Sequence, residues 1–340
     1  MTAQTARSFL AETLAGNTAI SLPFPLPGGA SGQVMDEGII RFDPQDGAGR
    51  ELDLVVSCGV HGNETAPVEL VERLIARIFS GELKLRNRVM FVFGNVEALR
   101  RGTRFVEEDM NRLFCRAPEN DDNTERRRAT MLEMHLLRFF GRAVADQKPR
   151  YHYDLHTAIH GSLIEKFAIY PLPRQGRQFS VQEMARLHHA GVEAILLQST
   201  TSTTFSFFSN RYCDATSFTV ELGSARPFGQ NDSVDLGKME AYLTQLIGEG
   251  LPQHPLHGES YAAQVGCPVF RVSREIIKHS REFRLLIDGK TDNFTPLPQG
   301  MLLAEDGEHQ TVVTEASARI IFPNPDVVPG QRAGLIIVPA

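Results

Sequence analysis

His61-Gly62-Asn63-Glu64 sets an imidazole and a carboxylate three residues apart, among turn formers, directly after the apolar run 52–58. In a turn, that spacing can aim both side chains at one metal ion. A catalytic zinc takes three protein ligands and keeps a further position open, and two histidines with one carboxylate form one such set. Alone, His-x-x-Glu is more often a polar loop than a metal site. A third ligand has to come from a distant part of the chain. The stretch Tyr-Asp-Leu-His-Thr-Ala-Ile-His-Gly over 153–161 offers His156 near the end of a predicted strand. Asp154, two residues earlier, falls on the same strand face. His160 is a neighbouring alternative. His152, His188 and His189 read as surface or supporting histidines, the last two within a helical stretch.

Hydrolysis at such an ion needs a proton acceptor, because a bound water has its pKa lowered to about 7 and a nearby carboxylate can take the proton. Glu221 ends the run Ser217 to Val220. A charge there costs desolvation unless a partner meets it, which suits a base beside a metal. The other reading is an edge-strand carboxylate facing water. Between 94 and 114 lie Arg100, Arg101, Arg104, Asn111 and Arg112, interleaved with Phe105, Met110, Leu113 and Phe114. Such arginines are a solvated face, or they are fixed by packing and grip carboxylates with their planar forks. The second reading implies a carboxylated substrate. The Thr/Ser/Phe mixture over 200–210 reads either as a loop over the site or as a strand packing Phe205 and Phe207 inward.

These residues need a scaffold. The runs 52–58, 88–93, 151–155, 166–170, 194–197 and 217–222 read as buried strands. Helical patterns alternate with them over 66–79, 124–146, 181–190 and 233–248. In 66–79, Val68, Val71, Leu74, Ile75, Ile78 and Phe79 make one apolar face, and Pro67 is tolerated in a first turn. Thr124 is the candidate cap of the second helix. Strands alternating with helices predict an α/β sheet covered on both faces. Near 250–258 the composition changes to short apolar runs broken by Gly and Pro. The expected organisation is an α/β unit over 1–250, a mixed sheet flanked by helices, and a smaller all-β domain over 251–340.

The bulk composition narrows the function classes. Thirty-five basic against 41 acidic residues give a net charge of −6, the wrong sign for a general nucleic-acid binder. No stretch of about 18 apolar residues predicts a membrane span. Met1 to Leu14 lack the pattern of a secretory signal. Cys58, Cys115, Cys213 and Cys267 are widely spaced, which predicts reduced thiols in the cytoplasm and no cysteine-based zinc cluster.

Taken in order, the motifs are His-Gly-Asn-Glu at 61–64, Asn-x-x-Ala-x-x-x-Gly-x-Arg-Phe at 95–105, Asp-Met-Asn-Arg-Leu-Phe at 109–114, Asp-Leu-His-Thr-Ala at 154–158 and Val-Glu-Leu-Gly at 220–223. The ordered set, spread over about half the chain, resembles the zinc carboxypeptidase-like superfamily and, within it, the succinylglutamate desuccinylase/aspartoacylase family. The resemblance implies a zinc-carboxypeptidase-like fold and one zinc ion per chain, held by His61, Glu64 and His156, with Glu221 as general base. It also implies that Arg104, Asn111 and Arg112 bind the carboxylates of a small anionic N-acyl amino acid, Arg104 also steadying the developing oxyanion. Asp109 precedes the Asn-Arg pair as the family's Asp does. Met110 stands where Leu is commoner. Arg211, ten residues before Glu221, stands where aspartoacylases carry an active-site arginine. The implied reaction is hydrolysis of N-succinyl-L-glutamate to succinate and L-glutamate in arginine catabolism. A hydrolase of another N-acyl amino acid such as N-acetylaspartate, a carboxypeptidase, or a zinc-binding protein without turnover are the other readings.

Overall fold

All six residues of the strand that leads into His61 are buried, since helices cover it on both faces. The computed structural model describes residues 8–46, 49–115, 123–141, 148–158 and 161–340. The first part of the chain forms α1 (Phe9–Leu14), β1 (Phe24–Pro25), β2 (Ser31–Asp36), β3 (Ile39–Asp43), β4 (Asp53–Cys58), α2 (Thr65–Ser80), β5 (Arg88–Phe93) and α3 (Val96–Arg101). The middle forms α4 (Thr124–Phe140), β6 (Arg150–Ala158), β7 (Lys166–Tyr170), α5 (Val181–His189), β8 (Ala194–Leu197), α6 (Phe205–Cys213), β9 (Thr216–Ser224) and α7 (Gly237–Gly248). The last part forms α8 (Tyr261–Val265), β10 (Val269–Ile277), β11 (Arg284–Leu285), β12 (Leu302–Asp306), β13 (His309–Val312), β14 (Arg319–Ile321) and β15 (Arg332–Pro339).

Twelve strands share one sheet, in the order β1-β2-β3-β5-β4-β6-β9-β7-β8-β10-β15-β14. Strands β5, β4, β6 and β9 run parallel at its centre, and β7 returns antiparallel to β9. Leu54, Val56 and Cys58 of β4 pack with Val68, Val71, Leu74 and Ile75 of α2. Val55, on the opposite face, packs with Leu132 and Leu136 of α4. A strand covered on both faces has no solvent side, so 52–58 is mostly apolar instead of alternating, broken only by the buried Asp53 and Ser57. The mixed sheet flanked by helices agrees with the expected fold class.

Several local expectations change. Asn123, not Thr124, caps α4: its side chain accepts from the Arg126 N–H at 2.7 Å. That helix ends at Phe140, and the expected extension over 142–146 lies outside the described residues. Helix α7 begins at Gly237, four residues later than Ser233. Residues 205–213 are neither loop nor strand but helix α6, with Thr204 as its cap. Its Phe205 stacks on Phe114 and meets the edge of the His152 ring, an inward face that a short Thr/Ser/Phe stretch does not advertise. Helix α1 and the antiparallel edge β1–β3 had no counterpart in the sequence reading. The C-terminal part is built of strands, as the expected fold class has it, and it also extends the large sheet. It carries α8, and β10 pairs parallel with β8, so β10, β15 and β14 continue the large sheet. Among the described residues, β11, β12 and β13 form a separate sheet.

The turn after β4 depends on two glycines for different reasons. Gly59 has a φ of +64°, where a side chain is strained. Gly62 is required by close approach: a Cβ there would lie 2.1 Å from the Ala98 carbonyl carbon and 2.3 Å from Leu99 N, in the backbone of α3. The Gly62 N–H also donates to the Arg104 carbonyl at 3.1 Å, tying the His61 turn to the Arg104 segment. Gly62→Ala is therefore expected to destabilise the fold by roughly 3 kcal/mol, at the upper end of overpacking costs. Chemical denaturation would show this as a lowered midpoint. An unchanged midpoint would mean that α3 yields freely.

Candidate metal centre and active site

Strand register brings the candidate residues together. Cys58 of β4 lies opposite Leu155 of β6, and His156 lies opposite Glu221 of β9. The His61 turn, His156 and Glu221 thus gather at the C-terminal ends of three adjacent parallel strands, where ligands of open α/β sheets bind. Glu64 occupies the N-cap of α2, yet its side chain makes no capping bond. Its two oxygens turn to the histidines instead. His61 Nδ1 is 2.8 Å from Oε1 and His156 Nδ1 is 2.9 Å from Oε2. The Thr157 N–H donates to Oε2 at 3.1 Å and the Arg104 guanidinium to Oε1 at 3.0 Å.

The far nitrogen of each ring meets a second carboxylate. His61 Nε2 is 3.0 Å from Asp109 Oδ1, and His156 Nε2 is 2.9 Å from Asp154 Oδ2. Such partners fix an imidazole with its N–H toward the carboxylate and its other lone pair toward a metal. The two Nδ1 lone pairs would then face the two Glu64 oxygens, acceptor against acceptor. That arrangement is repulsive unless a cation or protons lie between them.

The charges agree. Burial pushes the Glu64 carboxyl up, but the rings of His61 and His156 outweigh it and hold Glu64 below the ordinary carboxylate range. Burial likewise opposes ionisation of Asp109, and His61, Arg112 and Arg104 overcome it. Burial lowers the His156 pKa, whereas Asp154 and Glu64 together drive it well above the usual value. Ligand-type atoms of His61, Glu64 and His156 lie within 4.8 Å of one another, and all three residues are buried. Two histidines and one carboxylate with carboxylate-supported rings fit a divalent metal. Glu221 Oε2 and Thr157 Oγ1, both buried, have no hydrogen-bond partner among the described residues. Burial, reinforced by Glu64, pushes the Glu221 pKa up to about 7, against the pull of His156, His61 and Arg104.

Asn111 and Arg112 lie in a single 3₁₀ turn, Met110–Arg112, beside this cluster. Asp109 caps that turn, its Oδ1 accepting from the Asn111 N–H at 3.0 Å. Asn111 Oδ1 accepts from the Phe205 N–H at 3.0 Å, which leaves the Asn111 amino group as the end able to meet a ligand. The structure does not bring Arg211 to the site. It is exposed in the last turn of α6, whose end is tied through the Cys213 carbonyl to Arg150 at the start of β6. Arg150 precedes His156 by six residues, or about 20 Å of strand. Helix α6 runs away from the site, so only its N-terminal end lies near it. His160 lies outside the described residues.

The sequence reading placed Asp154 on the face of His156 without giving it a task. It also missed a network behind it. Ser57 donates to Asp154 Oδ1 at 2.5 Å, and His152 reaches Ser57 and Ser209 at 2.8 and 2.7 Å. Burial lowers the His152 pKa to about 4, so this ring is neutral. The available signal was the alternation of His152, Asp154 and His156 along one face of a wholly buried strand.

The sequence matches the family model described as the succinylglutamate desuccinylase/aspartoacylase catalytic domain over residues 50–247. The chain belongs to the succinylglutamate desuccinylase/aspartoacylase family. Residues 266–340 match the family's second model, the AstE/AspA barrel-sandwich hybrid domain. A succinylglutamate desuccinylase of Pseudomonas paraeruginosa is 50% identical over 305 residues, covering 89% of each chain. The crystal structure of the succinylglutamate desuccinylase from Chromobacterium violaceum is similar with a TM-score of 0.84 at 39% identity, covering 98% of each chain. That from Vibrio parahaemolyticus has a TM-score of 0.87 at 31% identity, covering 98% of this chain and 95% of its own.

Metal analysis is expected to find one divalent ion per chain. Asp154→Asn should keep the fold and weaken metal affinity by about 10- to 100-fold, the usual cost of losing such a support. Competition with a chelating dye measures it, and an unchanged affinity would remove Asp154 from the orienting role.

Proposed function

We propose that this chain is a zinc-dependent hydrolase that converts N-succinyl-L-glutamate and water to succinate and L-glutamate. The observation that carries the reading is the buried His61-Glu64-His156 cluster with the unpartnered Glu221 carboxylate on the adjacent strand. The substrate is inferred from succinylglutamate desuccinylases that match nearly the whole chain. Two imidazoles and a carboxylate suit zinc. A zinc ion held by His61, Glu64 and His156 would polarise the scissile carbonyl and make water a stronger acid.

The chain's own groups supply the rest. Ionised Glu221 takes a proton from the attacking water through Oε2 and returns it to the leaving amine nitrogen. Its burial makes it a stronger base than an exposed carboxylate. Arg104, beside Glu64, offers a cation to the carbonyl oxygen as negative charge develops there. Asn111 and Arg112 meet substrate carboxylates from the 3₁₀ turn. Asp109 and Asp154 hold the histidine rings in orientation. A tricarboxylate substrate explains why several arginines line one cleft of a chain whose net charge is −6. We place the reaction in the succinyltransferase route of arginine catabolism, as the resemblance implies, and in the cytoplasm, where four free thiols persist. No helix among the described residues is long and apolar enough to cross a membrane.

A panel of N-succinyl-L-glutamate, N-succinylornithine, N-acetyl-L-aspartate and a C-terminal peptide, assayed on zinc-loaded protein, tests the substrate. N-succinyl-L-glutamate should give the highest kcat/KM, and preference for another member would overturn the assignment. Glu221→Gln should retain zinc, lose on the order of 100-fold or more in kcat, and lose the acid limb of the pH–rate profile that the ionised carboxylate produces. Near-normal turnover in that variant would exclude Glu221 as the base.

A further inference from the structure

Arg332 opens β15, opposite Ile277 of β10, and its half-buried guanidinium has no hydrogen-bond or ion-pair partner among the described residues. Burial and then the charge of Arg112 pull its pKa down to about 10, against a smaller opposing pull from Glu275. Glu275 is occupied elsewhere, accepting from the Thr200 hydroxyl at 2.9 Å. Arg112 is also half-buried, and among the described residues its guanidinium donates only to the Asn111 carbonyl, at 3.1 Å.

The connection between β8 and α6 brings these two arginines together. Ser199 Oγ donates to the Val272 carbonyl of β10 at 3.3 Å, Thr200 reaches Glu275, and the Phe205 N–H donates to Asn111. Residues 199–205 therefore stitch the β10–β15 pair to the turn that carries Asn111 and Arg112. Arg112 in turn acts on Asp109, which touches His61. The guanidinium groups of Arg112 and Arg332 are thus near enough to act on one another, beside the turn that carries Asp109 and Asn111, and Glu275, the carboxylate that acts on Arg332, is held by Thr200. Like charges held near one another in partly buried places are costly until an anion joins them. A carboxylate, which takes two parallel N–H bonds from each fork it meets, is the complementary group.

We propose that Arg332 is a substrate-specificity residue, forming with Arg112 a two-guanidinium clamp for a substrate carboxylate remote from the scissile amide. This rests on the proposed N-succinyl-L-glutamate hydrolysis and extends it to the C-terminal part of the chain. That part then recognises substrate as well as completing the sheet. A remote carboxylate belongs either to the succinyl arm or to the glutamate side chain, and neutral analogues separate the two.

The test compares wild type with Arg332→Met and Arg332→Lys, zinc-loaded, on N-succinyl-L-glutamate, N-butyryl-L-glutamate and N-succinyl-L-glutamine. Arg332→Met should lose roughly 10- to 100-fold in kcat/KM on N-succinyl-L-glutamate, mainly through KM, as a partly desolvated charge contact does. On the analogue that lacks the clamped carboxylate, wild type and Arg332→Met should be nearly equal. Arg332→Lys should recover part of the loss. An equal loss on all three substrates, or no loss on any, would overturn the clamp. Calorimetric binding of succinate and of L-glutamate tests it independently of turnover. Arg332→Met should weaken one of the two and spare the other, whereas unchanged binding of both would refute the clamp even if the hydrolysis stands.

Discussion

The Glu64 carboxylate lies between two imidazoles in a place with almost no access to water, and the rest of the site is arranged around that fact. A buried anion is tolerable only with partners on both oxygens, and Glu64 has them: His61 and Arg104 on one, His156 and the Thr157 amide on the other. Those partners come from three places in the chain. The requirement to meet at one carboxylate therefore constrains the turn after β4, the end of β6, and the segment that follows α3. The freedom of the Glu64 side chain from its own helix N-terminus is part of the same constraint. A capping carboxylate would be spent on backbone N–H groups.

Support extends outward from there through groups that are themselves buried, apart from the partly exposed Asp109. Asp109 and Asp154 hold the outer nitrogens of the rings, and Ser57 and His152 hold Asp154. Ser209 then joins this network to α6, and Asn111 joins the start of α6 to the turn before Leu113. The helix that the Thr/Ser/Phe stretch forms is thus a brace between the histidine-bearing strand and the carboxylate-binding turn. Polar networks of this kind, satisfied at nearly every member, fix one geometry.

The metal cluster was legible because its residues obey local rules. His61 and Glu64 sit in a turn announced by Gly59 and Gly62, and His156 lies near the end of a buried strand. Asp154 could be put on the correct face by period alone, but its hydrogen bond could not, because a two-residue period does not say which neighbour a side chain meets. The parts that escaped depend on tertiary context. Strand β2 is mostly half-buried and contains Gly32, so its pattern resembles a loop until β1 and β3 pair with it. Arg211 was placed by its spacing from Glu221, but a helix running away from the site put that spacing in the wrong direction. The continuation of the sheet from β8 into β10 is a pairing between segments some seventy residues apart in sequence. Nothing in either apolar run names the other as partner.

That continuation has a consequence for how the chain can be divided. Strand β8 is Ala-Ile-Leu-Leu, buried at every position, and β10 covers its outer edge. Cut the chain near residue 250 and β8 becomes a flat, apolar edge without charge, proline or bulge to blunt it. Such an edge recruits further strands from other molecules. The C-terminal part therefore covers an edge that would otherwise invite pairing between molecules.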